Sequence, residues 1–296
     1  FGDASVAIDD QAPVLIFSHG NAAIAEQSYF MTEFFASHGW VVVAPYHTGN
    51  TVFDVAANGG GVSLEAAPLR PQDITAALDA VYALDGDDPL AGKLSDDVLM
   101  SGHSFGAFTT IASTGATFAV DEVVAACAEP NPPTECSMLD RDGVEDVVRA
   151  GFLDERIDVA IPQAPGWFFA FLDGISEIEV PTLLLTGARD TTLRPGSEGD
   201  PIWAAYTGAH MRVDLLAGGH FTFSNMCELL PLPEVQNDGC GENNTPIEVA
   251  FELINAYSLA FARYILWGEP SDLLTGVDAR YAEHVRLSWK PGSDLN

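Results

Sequence analysis

The stretch VLMSGHSFGAFTT, residues 98–110, contains the pattern that decides the fold. Residues 98–101 form an apolar run that is too short for a helix, which predicts a buried strand. Gly102, Ser104 and Gly106 then follow as G-x-S-x-G, and the small residues beyond them favour a closely packed helix. A sharp strand-to-helix turn lifts the serine hydroxyl above the sheet, and the flanking glycines let the backbone pass without side-chain collision. The stretch therefore predicts Ser104 as a nucleophile.

Short buried strands alternate with helical patterns on both sides of this turn. Apolar residues recur at helical spacing in 28–37, 71–84 and 247–266. Helices that alternate with short buried strands indicate a mostly parallel central sheet with helices on both faces, an α/β fold. The predicted strands are residues 14–17, 40–44, 98–101, 159–162, 182–186 and 212–216.

Residues 119–156 interrupt the alternation with acidic, Pro-rich sequence that contains two cysteines. We interpret them as an insertion above the sheet that acts as a partial lid. Residues 193–201 (LRPGSEGDP) have the Pro and Gly content of a loop. The sequence thus predicts a single domain over residues 1–296 with one insertion.

A serine hydroxyl is a poor nucleophile at neutral pH and needs a general base that an acid orients. After a turn of this kind the order along the chain is serine, acid, histidine. Asp190 follows the predicted strand 182–186, and His220 follows the predicted strand 212–216. Taken singly, the aspartate could cap a helix or pair with an arginine, and the histidine could be an ordinary loop residue. Their order at successive strand ends predicts the triad Ser104, Asp190 and His220.

Other candidate site residues follow from the same geometry. Negative charge on an attacked carbonyl needs hydrogen-bond donors that are already in place. The backbone amide of Phe105 is the first candidate, and that of Asn21, at the end of the first predicted strand, is the second. Trp167 is predicted to form an aromatic wall of the substrate site, with core packing as the alternative. His103 is predicted to line the site without a chemical role.

The four cysteines form two local pairs in segments rich in Pro, Asn and Gly. Three pairings are formally possible. We expect Cys127 with Cys136 and Cys227 with Cys240, each bridge stapling a surface loop, and hence a secreted or periplasmic protein. The alternative is four free thiols in a cytosolic protein. No CxxC or Cys/His ligand spacing indicates a metal site.

The composition excludes several partners. Lys and Arg number 12 against 43 Asp and Glu, a formal net charge of −31 that would repel nucleic acid. The only lysines are Lys93 and Lys290, and such an acidic, lysine-poor surface indicates a protein kept soluble in high salt. No apolar run reaches the roughly 18 residues that span a bilayer, so we expect no transmembrane segment. We also expect a monomer.

The chain resembles the α/β-hydrolase superfamily over roughly residues 13–118 and 157–223. Within it the chain is similar to platelet-activating-factor acetylhydrolase-like and predicted dienelactone hydrolase esterases, and to bacterial cutinases and poly(ethylene terephthalate) hydrolases. The matching blocks include VLIFSHGNAAIAEQSYFMTEFFASHGWVVVAPYHTGNT, LRPQDITAALDAVYAL, VPTLLLTGARD and LLAGGHFTF. The resemblance implies an α/β-hydrolase fold, no cofactor, triad roles for Ser104, Asp190 and His220, an oxyanion hole at Asn21 and Phe105, and an aromatic subsite at Trp167.

The resemblance is not complete. Tyr46 stands where the acetylhydrolase-like group usually has Asp, and the nucleophile turn holds serine where a dienelactone hydrolase has cysteine. Lactone hydrolysis is therefore disfavoured.

Together these observations predict a serine carboxylic-ester hydrolase that acts through an acyl-enzyme on small-molecule or polymeric esters of short-chain, aromatic or polyester type. The acidic surface favours neutral or cationic substrates. The first alternative is an acetylhydrolase-like or lipase-like esterase on small lipid esters, although residues 119–156 are less apolar than a membrane-contacting lid. A more distant alternative is a non-catalytic binding module, which would not need an acid and a histidine at those strand ends.

Overall fold

The computed structural model of the protein describes residues 6–8, 11–57, 64–139, 141–230 and 232–290. These residues contain a seven-stranded sheet in the order β2-β1-β3-β4-β5-β6-β7. Neighbouring strands are parallel except β6 and β7, which are antiparallel. The strands are β1 (Ala12–Ser18), β2 (Val41–Val43), β3 (Leu94–His103), β4 (Val159–Gln163), β5 (Thr182–Gly187), β6 (His210–Leu215) and β7 (Val285–Trp289).

Helices cover both faces of the sheet. Successive residues of a strand point to opposite faces, and β1 follows this rule. Leu15 and Phe17 pack in a core with α1 (Tyr29–Ser37) and α11 (Ile247–Trp267). Val14 and Ile16 pack in a second core with α3 (Arg70–Tyr82). The helices are α1 (Tyr29–Ser37), α2 (Val52–Ala57), α3 (Arg70–Tyr82), α4 (Phe105–Ser113), α5 (Val120–Cys127), α6 (Val144–Ala150), α7 (Phe168–Phe171), α8 (Gly199–Ala205), α9 (Met226–Leu229), α10 (Pro233–Asn237), α11 (Ile247–Trp267) and α12 (Asp272–Thr275).

The predicted α/β class and mostly parallel sheet are confirmed, and each predicted strand lies within or overlaps an observed one. The antiparallel edge strand β7 was not predicted. The loop expected over 193–201 is wrong at its end, because α8 begins at Gly199. Pro201 is tolerated there since the first turn of a helix has no intrahelical partner for its amides.

Helix α11 is long and apolar enough to cross a membrane by length and composition alone. Half of its most apolar window is buried inside the protein, where Leu253, Tyr257 and Phe261 pack against the sheet. These are the properties of a core helix, in agreement with the amphipathic pattern over 247–266.

The segment 119–156 forms a small unit beside the sheet. Its helices α5 and α6 share a cluster of Val120, Val144 and Val148, which is joined by Phe118 and Phe152. A role of this segment as a lid stays a prediction.

Both expected disulfides are present. Cys127 is bonded to Cys136 with a Cα–Cα distance of 5.6 Å, and Cys227 is bonded to Cys240 with a Cα–Cα distance of 6.4 Å. The local pairing is confirmed, and the alternative of free thiols is wrong.

Candidate active site

Ser104 lies on the turn between β3 and α4. Its φ of 58° and ψ of −116° put a non-glycine residue in a strained conformation, which is common where a side chain must be aimed at a functional site. The turn is tight because α4 starts against the end of β1: a Cβ atom at Gly106 would collide with the carbonyl oxygen of Ser18. The two glycines of the pattern therefore allow the close approach that raises Ser104.

Asp190 follows β5 and His220 follows β6, the second and third strands beyond β3 in the sheet. His220 Nε2 lies 2.9 Å from Ser104 Oγ, and His220 Nδ1 lies 2.8 Å from Asp190 Oδ2. An ionised carboxylate only accepts, so Nδ1–H donates to Asp190 and Nε2 is left to accept the hydroxyl proton of Ser104. His220 and Asp190 are 2% and 5% exposed, which keeps this hydrogen-bonded chain out of bulk water. The three residues are thus brought together in the predicted order.

Two backbone amides near the serine are free. Within the part of the chain that the structure describes, the amides of Asn21 and Phe105 have no protein acceptor, whereas the amide of Gly20 donates to Gln27 Oε1 at 2.7 Å. Phe105 follows the serine directly, and Asn21 lines the same cleft as Ser104. These are the two predicted oxyanion donors.

His103 lies at the floor of the cleft and is 2% exposed. Its Nε2–H donates to the carbonyl oxygen of His220 at 2.8 Å, and its Nδ1 accepts from the side-chain amide of Gln27. Burial, with the neighbouring His220, holds the pKa of His103 well below its ordinary value. Both ring nitrogens are therefore hydrogen-bonded inside the protein, and only the ring carbon atoms remain for the predicted contact with substrate.

Asp238 is a buried carboxylate that the sequence analysis missed. Its Oδ1 accepts from the amides of His220 and Thr191, each at 3.0 Å, and its Oδ2 accepts from the amide and hydroxyl of Thr192 at 2.9 and 2.7 Å. Burial opposes the charge, but the hydrogen bonds from Thr191, His220 and Thr192 together lower the pKa of Asp238. The carboxylate thus fastens the loop of the triad acid to the loop of the triad histidine.

The serine opens into a cleft of about 270 Å³. Trp167 stands at one side, where its ring centroid lies 4.7 Å from that of Phe105. Its φ of 60° is again unusual for a side-chain-bearing residue and turns the chain into α7. The remaining wall combines apolar and polar groups, among them Thr192, Leu193, Phe221 and Met226. A larger groove of about 810 Å³ lies around α12 and contains no member of the triad.

No protein-family model matches the chain, and no curated protein matches it either. Similar solved structures include a ferulic acid esterase from Streptomyces cinnamoneus. The two share 19% sequence identity and superpose with a TM-score of 0.62, over 95% of this chain and 74% of that one. At this identity the similarity concerns the fold. With the mostly parallel sheet and its surrounding helices, it shows that this chain has the α/β-hydrolase fold.

Proposed function

We propose that the protein is a serine carboxylic-ester hydrolase that works through an acyl-enzyme. The observation that carries the proposal is the continuous hydrogen-bonded chain from Ser104 through His220 to Asp190, which ends at a cleft beside two unpaired backbone amides. This is the arrangement of groups that acyl transfer requires.

The reaction follows from the positions of these groups. Ser104 Oγ attacks the ester carbonyl while His220 Nε2 takes its proton, and the amides of Asn21 and Phe105 stabilise the oxyanion. The imidazolium then gives the proton to the leaving alcohol, and an acyl-serine remains. Water activated by the same nitrogen hydrolyses the acyl-serine. Asp190 fixes the tautomer and stabilises the charged ring throughout.

The cleft supports small, neutral acyl groups with some aromatic or aliphatic character. Its volume of about 270 Å³ is at the small end for ligand pockets, and Trp167, Leu193 and Phe221 provide the apolar contact. The net charge of −31 disfavours substrates that carry carboxylates. The similarity to a ferulic acid esterase supports the inclusion of aromatic esters among the substrates tested. Polyester chains are the polymeric form of the same chemistry.

We also propose a secreted or periplasmic location, which rests on the two disulfides. The two disulfides are stable in an oxidising compartment and rare in a reducing one.

Hydrolysis of p-nitrophenyl esters from acetate to octanoate, of methyl ferulate and of a polyester film tests the proposal. The wild type is compared with Ser104→Ala and with Ser113→Ala, a buried serine of α4 outside the cleft, over a range of salt concentrations. We expect loss of activity in Ser104→Ala alone. Near-full activity in Ser104→Ala, or no hydrolysis by the wild type at any salt concentration, would contradict the proposal.

The role of the tryptophan is tested with the same substrates. Trp167→Ala should raise KM for octanoate and ferulate more than KM for acetate, while Trp167→Phe, which keeps an aromatic face, should change the ratio less. An equal effect on all esters would mean that Trp167 serves packing against Phe105 alone.

A further inference from the structure

Arg70, in the first turn of α3, is completely buried. Its guanidinium donates to Thr109 Oγ1 and Ser18 Oγ, each at 3.0 Å. It also donates to Asn50 Oδ1 at 2.5 Å and to the carbonyl oxygen of His19. All these acceptors are neutral. A buried cation held by neutral oxygens is costly, because a charge removed from water is poorly repaid by dipoles alone, and the charge of Asp73 offsets only part of that cost.

One side of Arg70 leads to the first oxyanion donor. Asn50, which accepts from Arg70, in turn donates to Asn21 Oδ1 at 2.7 Å. The carbonyl of His19, two residues before Asn21, is bonded to the same guanidinium. Two contacts therefore fix the loop that carries the amide of Asn21.

The other side of Arg70 leads to the second donor. The guanidinium carbon lies 4.6 Å from the centroid of the Phe105 ring, a cation–π contact. Thr109, which accepts from Arg70 Nε, donates its hydroxyl to the carbonyl oxygen of Phe105 at 2.9 Å. Arg70 thus contacts the groups that hold the Asn21 amide in place and also those that hold the Phe105 amide.

A hydrogen-bonded Ser–His–Asp chain beneath the loop of Asn21 resembles a second triad but has a structural role. Ser18 Oγ lies 2.9 Å from His47 Nε2, and His47 Nδ1 lies 2.9 Å from Asp73 Oδ2. Ser18 and His47 are completely buried, so no ester reaches that hydroxyl. Ser18 Oγ instead accepts from Arg70. The chain orients the acceptor that holds Arg70 in place.

We propose that Arg70 is a positioning residue for the oxyanion hole. It holds the amides of Asn21 and Phe105 at a fixed separation, and its buried charge adds positive potential behind them. The inference rests on the proposed ester hydrolysis. Since the oxyanion exists only along the reaction and not in the bound ester, loss of Arg70 should lower kcat and leave KM nearly unchanged.

The kinetic test compares three variants with a matched arginine control. Arg70→Met should lower kcat on the order of 100-fold, the loss expected when one oxyanion donor is misplaced. Arg70→Lys keeps the charge without the planar fork and should recover part of that loss. Asn50→Ala cuts only the link to Asn21 and should lower kcat about tenfold, a fraction of the full effect. Arg149→Met, on the exposed face of α6, should match the wild type.

A second measurement separates this inference from the proposed function and from misfolding. The backbone amide resonances of Asn21 and Phe105 in a ¹H–¹⁵N spectrum should both move in Arg70→Lys, and that of Asn21 should move in Asn50→Ala. If Arg70→Met does not fold, these two milder variants decide. Unmoved resonances with wild-type kcat would overturn the inference. If the wild type hydrolyses no ester, the proposed function fails, and the resonances alone decide: movement supports the positioning role and its absence overturns it.

Discussion

At the scale of single residues, Asp238 is the clearest test of how the triad is held. It bonds the amides of Thr191 and His220, which lie in the loops of the acid and the base. Asp238→Asn keeps the shape but replaces one acceptor by a donor that faces Thr192. We expect kcat to fall about tenfold, because sub-ångström displacement of catalytic groups costs rate steeply. Glu234→Gln, an exposed carboxyl on the adjacent α10, is the control.

The measurement is kcat against pH for wild type, Asp238→Asn and Glu234→Gln, with far-ultraviolet circular dichroism to show that each is folded. A purely structural carboxylate would change stability and leave the kcat of the folded enzyme at the wild-type level. That result would contradict the prediction.

The triad residues could be predicted from the sequence, whereas the residues that hold them in place could not. Ser104, Asp190 and His220 were predicted because each follows a recognisable strand, and the carboxyl ends of parallel strands meet at one edge. Asp238 and Arg70 act on residues that are 47 and 52 positions away in the chain. No local sequence pattern marks a carboxylate that accepts hydrogen bonds from amides distant in the chain. Arg70 stands next to Pro71 and four residues before Ile74, on the side of α3 that is buried. A charged side chain in register with apolar ones was the sequence signal that could have indicated its role.

At the scale of elements, the two disulfides close similar segments but support different structures. Cys227–Cys240 closes the segment with α9 and α10, which contains Asp238 and adjoins Met226 of the cleft. Cys127–Cys136 closes part of the insertion. Replacing either pair by serine should cost about 3 kcal/mol of unfolding free energy, because short loops differ little in closure entropy. Only the Cys227→Ser/Cys240→Ser variant should also lower kcat.

Urea unfolding and initial rates on p-nitrophenyl butyrate measure the two effects separately. Each double variant serves as the control for the other. Equal losses of kcat in both variants would mean that the bridges act only on global stability and that the segment 227–240 does not position the site.

Strands were predictable where they are buried inside the sheet and were harder to find at its edge. The fully buried strands β4 and β5 are mostly apolar, and β6 (HMRVDL), also buried, alternates polar and apolar residues. The edge strand β7 (VRLSW) has only five residues, in which Arg286 and Ser288 alternate with apolar residues, and its burial is only partial. Its antiparallel pairing with β6 is fixed by contacts such as Arg286 with Asp214, 3.0 Å apart, and these depend on tertiary structure.

At the scale of the whole molecule, the net charge of −31 should make stability depend on salt. Self-repulsion among carboxylates weakens the compact state, and salt shortens its range. The opposing effect, screening of ion pairs, is small because exposed pairs such as Arg149 with Glu145 contribute little. We expect Tm to rise between 0.05 and about 1 M KCl, the range in which the screening length falls to about 3 Å. Sucrose of equal osmolality is the control, and a flat or falling Tm in KCl would contradict the prediction.

Four buried histidines should also make the protein sensitive to mild acid. Burial lowers the pKa of His19 to about 2 and that of His210 to about 4, and it lowers the pKa of His47 and His103 well below 6.5. Below pH 6.5 these histidines bind protons in the unfolded chain but stay neutral in the folded chain. The free energy of unfolding therefore decreases as pH falls, by about 1.4 kcal/mol per pH unit for each such histidine.

The buried histidines act in the window from pH 6.5 to 5, and a histidine variant isolates their contribution there. Three carboxyls whose pKa burial raises, Asp73, Asp158 and Glu198, act with the opposite sign, because the folded chain binds their protons at a higher pH than the unfolded chain does, and they offset part of the loss. Urea unfolding at fixed salt should show a steep loss of stability across it. His210→Gln, remote from the cleft, should reduce the slope of unfolding free energy against pH by the contribution of one histidine, about 1.4 kcal/mol per pH unit. Stability that stays constant from pH 6.5 to 5, or a slope unchanged in His210→Gln, would mean that these rings accept protons in the folded state.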